Sequence, residues 1–370
     1  MIARKGRREC RPARRRRGVA ALVVAAAVVV GGGCHHAASV VAPPHPASPA
    51  RPAPPALVTL QHDIDAILAA PALEHGYWGV MIKSLDTHDT LYAVNARKLM
   101  MPASNMKIVT LAAAAARLGW AFQYNTKLMT SGAIAAGSLD GDLVVVGSGD
   151  PSLTDATAPP VFTAWADALE AAGVRTITGR LVGDDRTLGG EPLGMGWSWD
   201  DLPDGYAAGV GALQFDENMA RVTIVPGNAP GLPAVVTIAP DATGLVVRNQ
   251  VTTGAAGSVE SIETHRKPGS AELELRGSVA VGSAARVHTV SVDRPTQFFV
   301  TALREALTAA GIDVRGPAVD ISELGAADAL APDGLRLLIE SRSPPLSALA
   351  TRMMKASQNQ YAETLLRTLG

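Results

Sequence analysis

The stretch Met101-Pro102-Ala103-Ser104-Asn105-Met106-Lys107 decides how this chain is read. It opens an alanine-rich apolar run that reaches Leu118 and stops at Gly119. An apolar run closed by a glycine predicts a helix. Ser104 and Lys107 then stand at i and i+3 on one face, so the ammonium reaches the hydroxyl. A serine hydroxyl is a weak nucleophile until an adjacent base removes its proton. A lysine desolvated in a cleft has its pKa lowered toward that task. Standing alone, the pair decides little. A chain of this length carries on the order of one Ser-x-x-Lys by chance, and Ser104 could equally be an N-cap with Lys107 solvated in the first turn.

Working outward, Ser357-Gln358-Asn359 is the only Ser-x-Asn of the sequence. Three further segments accompany the two motifs: Gly141-Asp-Leu-Val-Val-Val-Gly-Ser-Gly-Asp-Pro-Ser152, Trp199-Asp-Asp-Leu202 and Ser343-Pro-Pro-Leu346. The last leads into Met353-Met-Lys-Ala-Ser-Gln-Asn-Gln-Tyr-Ala-Glu363. In these words and in this order, across residues 57–370, the chain resembles the D-alanyl-D-alanine carboxypeptidase/endopeptidase family of low-molecular-mass penicillin-binding proteins, the penicillin-binding protein 4 type. Ser-x-x-Lys and Ser-x-Asn are two of the three motifs of serine acyl-transferases that react with penicillin. The long interval between Ser104 and Ser357 is also family-like, because that family inserts domains between its first two motifs.

The resemblance implies an α+β penicillin-binding/serine β-lactamase-like domain with a long β-rich insertion. It implies that Ser104 attacks the terminal D-Ala-D-Ala bond of a peptidoglycan stem peptide and forms an acyl-enzyme. Lys107 would activate Ser104, Ser357 would pass the proton toward the leaving amine, and Asn359 would hold the substrate's backbone amide. β-Lactam antibiotics would acylate the same serine, and neither a metal nor an organic cofactor is implied. The third family motif, a Lys-Thr-Gly on a strand, has no counterpart, and only eleven residues follow Asn359. In the family that strand walls the cleft and supplies the second oxyanion donor. Its absence implies an incomplete sheet, and a chain that is a fragment, a truncated reading frame or an inactive relative. The alternatives are a catalytically silent cell-wall-binding module (a truncated pseudoenzyme) and, more distantly, a serine β-lactamase. Carboxypeptidase and endopeptidase action both stay open.

Composition agrees with an exported wall protein. At 370 residues, with 47% apolar and 4% aromatic residues, the chain has room for two or three domains with cores of Ala, Val and Leu. Residues 1–18 hold nine basic side chains and one acid, Glu9; taking these from totals of 33 and 34 leaves 24 against 33, a net −9 for the remainder. A body that acidic argues against a nucleic-acid partner. The basic head runs into an apolar stretch, 19–30, and then Gly31-Gly32-Gly33-Cys34. That pattern is an export signal over 1–34, and it is short for a membrane span. Cys34 follows small residues as in a lipoprotein processing site, although Gly31 replaces the usual apolar residue. A periplasmic or cell-envelope protein follows, secreted or tethered through the signal or a lipidated Cys34. With Cys10 inside the signal, at most one cysteine survives processing, so no disulfide framework or catalytic thiol is expected.

Residues 35–56, rich in proline and alanine from 42 onward, read as an extended linker. The first part of the penicillin-binding domain is expected over 57–125, with a helix over 57–70 and a hairpin of 79–85 and 90–94 around Asp86-Thr-His-Asp89. Short Val/Ile/Leu/Thr strands with Gly, Pro and Asp turns mark 126–290 as the β-rich insertion, including Leu143–Val146, 222–225, 234–238 and 272–275. An amphipathic helix over 296–310, stopped by Gly311, returns the chain to the first domain over 291–370. Residues 345–369 are helical with a break near Ser357. Other constellations carry less. Asp184-Asp185 and Asp200-Asp201 are adjacent, so their side chains diverge, which disfavours a paired acid and base. His35-His36 beside Cys34 reads as an unstructured post-signal tract. Gly147-Ser-Gly-Asp-Pro151 lacks the Lys-Ser/Thr ending of a phosphate loop and reads as a tight turn.

Overall fold

The computed structural model describes residues 54–325 and 334–370. The expected export signal over 1–34, with Cys34, and the expected linker up to residue 53 lie outside the described residues. The chain divides into two units, one ending at Leu99 and one beginning at Met100.

In the first unit, helix α1 (Pro55–Leu68) starts inside the expected linker. Proline suits that position because its missing N–H would have no helical partner anyway. The hairpin pairs Val80–Lys83 with Thr90–Val94 in antiparallel register, with a bulge at Ile82/Lys83. Two side-chain bonds fasten α1 to it. Tyr92 Oη donates to Asp65 Oδ1 at 2.5 Å, and Gln61 Nε2 donates to the Leu91 carbonyl at 2.7 Å.

The second unit carries two main cores and a third, minor cluster of Val144, Val182 and Ile321. The larger is built on a five-stranded sheet ordered Ala318–Asp320, Leu181–Asp184, Leu143–Val146, Asn125–Thr130, Arg336–Arg342. The first three strands are parallel and the last two alternate in direction. Helices α3 (Ala158–Ala171) and α4 (Pro295–Ala309) pack on it and on each other. Phe162 and Trp165 of α3 and Phe298 and Phe299 of α4 form an aromatic cluster with Phe215. At Gly183 the strand comes so close to α4 that a Cβ would lie 2.7 Å from Thr296 Cγ2. Two three-stranded sheets extend this core: Val235–Ala239, Met219–Val225, Arg286–Ser291, and Val246–Gly254, Glu272–Ala280, Ser261–His265. Residues 126–290 are thus rich in strands, but they also contain α3, which the sequence reading did not anticipate.

The smaller core joins helices α2 (Met106–Leu118), α5 (Leu346–Lys355) and α6 (Asn359–Thr368). Ala114 of α2, Leu346, Leu349 and Met353 of α5, and Tyr361 and Leu365 of α6 are buried together with Tyr124. Far apart in sequence, α2 and α6 are held side by side by this packing. It sets the start of α6 against the start of α2.

Candidate active site

The nucleophile candidate sits in a single 3₁₀ turn, Ala103–Asn105, immediately before α2, rather than in the α-helix itself. Ala103 ahead of it has φ 45°, a left-handed conformation that costs a non-glycine residue about 1–2 kcal/mol. This turn leaves Ser104 exposed while Lys107, one turn later, is only 7% exposed. A buried ammonium must find acceptors. Lys107 Nζ donates to Ser104 Oγ at 3.1 Å and to Asn359 Oδ1 at 2.5 Å. Both acceptors are neutral, and burial lowers the Lys107 pKa from its ordinary value.

Asn359 begins α6, and its amide is oriented by a second bond: Nδ2 donates to the Tyr206 carbonyl at 2.9 Å. With a carbonyl on one side and an ammonium on the other, only one amide orientation satisfies both. One lone pair and one N–H of that amide remain for a ligand. Ser357 lies exposed in the break between α5 and α6, with φ 54°. Among the described residues no hydrogen bond links its hydroxyl to Ser104 or Lys107. Three of the four residues singled out from sequence are therefore directly bonded, and the fourth stands two positions from Asn359.

Sequence reasoning missed the structure behind this wall. Asp216, Glu217 and Asn218 take φ values of 47°, 56° and 54°, three consecutive left-handed residues without a glycine. Such a run costs roughly 3–6 kcal/mol and persists only where its surroundings over-determine it. Here they do. Asn218 Oδ1 accepts from the Phe215 N–H at 3.2 Å, and its Nδ2 donates to the Gly209 carbonyl at 2.8 Å. Asp216 accepts from the Asp155 N–H at 3.2 Å and pairs with Arg221 at 3.2 Å. Glu217, 5% exposed, receives Arg352 of α5 at 2.8 Å and Gln358 Nε2 at 2.5 Å. A run of Asp, Glu and Asn marks a turn in sequence, but nothing local names partners more than a hundred residues away. Of the adjacent acids weighed earlier, Asp184 and Asp185 diverge: Asp184 binds Arg186 at 2.7 Å, whereas Asp185 accepts from Thr296 Oγ1 at 2.6 Å.

Ser104 bonded to a buried lysine, with Asn359 reaching that lysine from a second helix, matches in residue type and spacing two motifs of penicillin-reactive serine enzymes. The chain belongs to the D-Ala-D-Ala carboxypeptidase 3 (S13) family, which matches it over residues 60–370. It is 33% identical over 320 residues to the D-alanyl-D-alanine carboxypeptidase of Actinomadura sp. strain R39, covering 85% of this chain and 58% of that protein. It is 25% identical over 295 residues to the D-alanyl-D-alanine carboxypeptidase DacB of Haemophilus influenzae, covering 79% of this chain and 58% of DacB. Among solved structures it resembles penicillin binding protein 4 (dacB) from Haemophilus influenzae, with a TM-score of 0.67 and 26% identity over 79% of this chain and 62% of the other. The same protein complexed with a β-lactam matches with a TM-score of 0.60 at 25% identity, over 79% of this chain and 60% of the other. The fold is accordingly that of a penicillin-binding protein, with mixed helices and several sheets. The chain spans 58% of the length of these two curated relatives.

Proposed function

We propose that this chain carries the acylating half-site of a serine D-Ala-D-Ala carboxypeptidase/endopeptidase acting on peptidoglycan stem peptides. The observation that carries the reading is the Lys107 Nζ to Ser104 Oγ contact of 3.1 Å, made by a buried lysine whose pKa burial lowers. In the neutral state Lys107 takes the Ser104 proton as Oγ attacks the carbonyl carbon. A tetrahedral oxyanion forms and then collapses, releasing the terminal D-alanine with a proton delivered through Ser357. Water later hydrolyses the Ser104 ester. The Ser104 amide is a donor for the oxyanion, and Asn359, already oriented, offers its free N–H and lone pair to the peptide backbone. β-Lactams, one of which is bound in the Haemophilus relative, would acylate the same hydroxyl. On this reading residues 1–34 are an export signal and the protein works in the periplasm or cell envelope, with Cys34 as a lipid-anchor candidate. No helix among the described residues is long and apolar enough to cross a membrane.

The test is the intact mass of the full chain after incubation with a reporter penicillin, beside Ser104→Ala. A single adduct on the wild type alone is expected. An adduct retained by Ser104→Ala, or none on either protein, would overturn the assignment.

A further inference from the structure

The turn that presents Ser357 and Asn359 has little backbone support of its own. Between Lys355, the last residue of α5, and Asn359, the first of α6, the chain passes through a left-handed Ser357. One backbone bond crosses the break, from the Gln358 N–H to the Met353 carbonyl at 2.9 Å. The rest of the support comes from the side. Glu217 Oε1 accepts from Arg352 Nε at 2.9 Å, on the α5 flank of the break. Glu217 Oε2 accepts from Gln358 Nε2 at 2.5 Å, on its α6 flank. Gln358 in turn caps α6, its Oε1 accepting from the Gln360 N–H at 3.3 Å. One carboxylate thus ties both ends of the break, each oxygen serving one end.

We propose that Glu217 is a positioning residue for the acylation reaction: its carboxylate clamps the Ser357-Gln358-Asn359 turn and so holds Asn359 Oδ1 on Lys107. The proposal rests on the reading of Ser104 and Lys107 as nucleophile and base. Glu217 bonds to neither of them, so it acts only through Gln358 and the residues either side of it. Three observations carry the inference. The carboxylate is almost wholly buried, a costly placement unless both oxygens are engaged, as they are. It is aimed by three consecutive left-handed residues, and backbone strain of that kind is retained where a precise placement depends on it. The turn it grips begins with Ser357 and ends with Asn359, which bonds Lys107 at 2.5 Å, so a slip there reaches the base within one side chain.

Glu217→Gln tests the clamp with almost no change in volume. Its carbonyl oxygen can still receive Arg352, but its amide nitrogen then faces the Gln358 amide nitrogen, donor against donor. Two readouts are needed: the second-order rate of acylation by a fluorescent penicillin, and hydrogen exchange of the amides over 356–360. Glu217→Gln should slow acylation about 10- to 100-fold, the penalty for misplacing a reacting group by about 1 Å, and should speed exchange in the turn. The double variant Glu217→Gln/Gln358→Glu reverses the direction of the bond and should bring both readouts back to within about 3-fold of wild type, as coupled neighbours do. Wild-type rate and wild-type exchange in Glu217→Gln would overturn the proposal, as would a double variant no faster than the single one. If the wild type takes no penicillin at all, the nucleophile assignment fails, and exchange alone then decides the clamp. Should Glu217→Gln not fold, Gln358→Met leaves the Glu217–Arg352 pair in place and must slow acylation and loosen the turn in its stead.

Discussion

Replacing Leu365 with alanine should destabilise the protein by about 3 kcal/mol, and replacing its neighbour Leu366 by less than about 1 kcal/mol. Both residues lie on α6 and lose the same three carbons, so backbone propensity cancels between them. They differ in where the helix points them. Leu365 is 2% exposed in the core shared with α2 and α5, whereas Leu366 is 52% exposed. Full burial of a leucine side chain is worth about 2 kcal/mol in transfer free energy, and a cavity that collapses only in part adds about 1 kcal/mol. The exposed site loses less than half of the first term and makes no cavity. Urea unfolding of wild type and both variants, followed by circular dichroism with the slope held common, measures the difference directly. If the two variants agree within about 0.5 kcal/mol, α6 does not bury the face described here. Asn359 would then not be fixed against α2 by this packing.

Two further outcomes follow from charge. Burial lowers the Lys107 pKa, so the lysine sheds its proton at a lower pH than a solvated one. Acylation by penicillin should therefore rise with pH and level off before the ordinary lysine range, and Lys107→Arg should abolish it; a flat profile would contradict the base role. Between the two pKa values the unfolded chain binds more protons, so this lysine's contribution to stability also improves as pH rises. At Asp142, burial pushes the carboxyl up, but hydrogen bonds and charge from Arg180 outweigh it and hold the carboxyl below its usual range. Its stabilisation is thus present above the ordinary aspartate pKa and lost as pH falls through the depressed one. Asp142→Asn should cost about 1–3 kcal/mol at pH 7, and less on acidification, as seen in urea titrations at pH 7 and pH 3.

What could be read from sequence was what is local in sequence. Ser104 and Lys107 are three apart, and Ser357 and Asn359 two apart, so their chemistry is visible as spacing. The hairpin around Asp86-Thr-His-Asp89, the helix ending at Gly311 and the break near Ser357 were legible for the same reason: turn residues punctuate them. Helix α3 was not anticipated, although Phe162, Trp165, Ala166 and Leu169 recur at helical spacing. Its Pro159-Pro160 start blended with the turn-rich sequence before it, and proline at a helix's first turn is easily taken for loop. The desolvated Lys107 that the chemistry asks for has no local signature, because its partner Asn359 lies 252 positions away. Glu217 was more hidden still. Its left-handed turn is made without glycine, and its partners Arg352 and Gln358 lie 135 and 141 positions away.

The bond between Lys107 and Asn359 spans 252 positions of sequence. During synthesis the serine and its lysine emerge long before the asparagine exists to meet them. Nearly the whole strand-rich interval must first find its pairings, and non-local pairing is the slow part of folding. Until α5 and α6 arrive, Lys107 has neither its cover nor its second acceptor, and remains an ordinary solvated cation beside an ordinary serine. On the proposed function, competence at Ser104 is therefore a timer: it switches on only when α5 and α6 have docked on α2. A pulse of reporter penicillin given to nascent chains would date that moment.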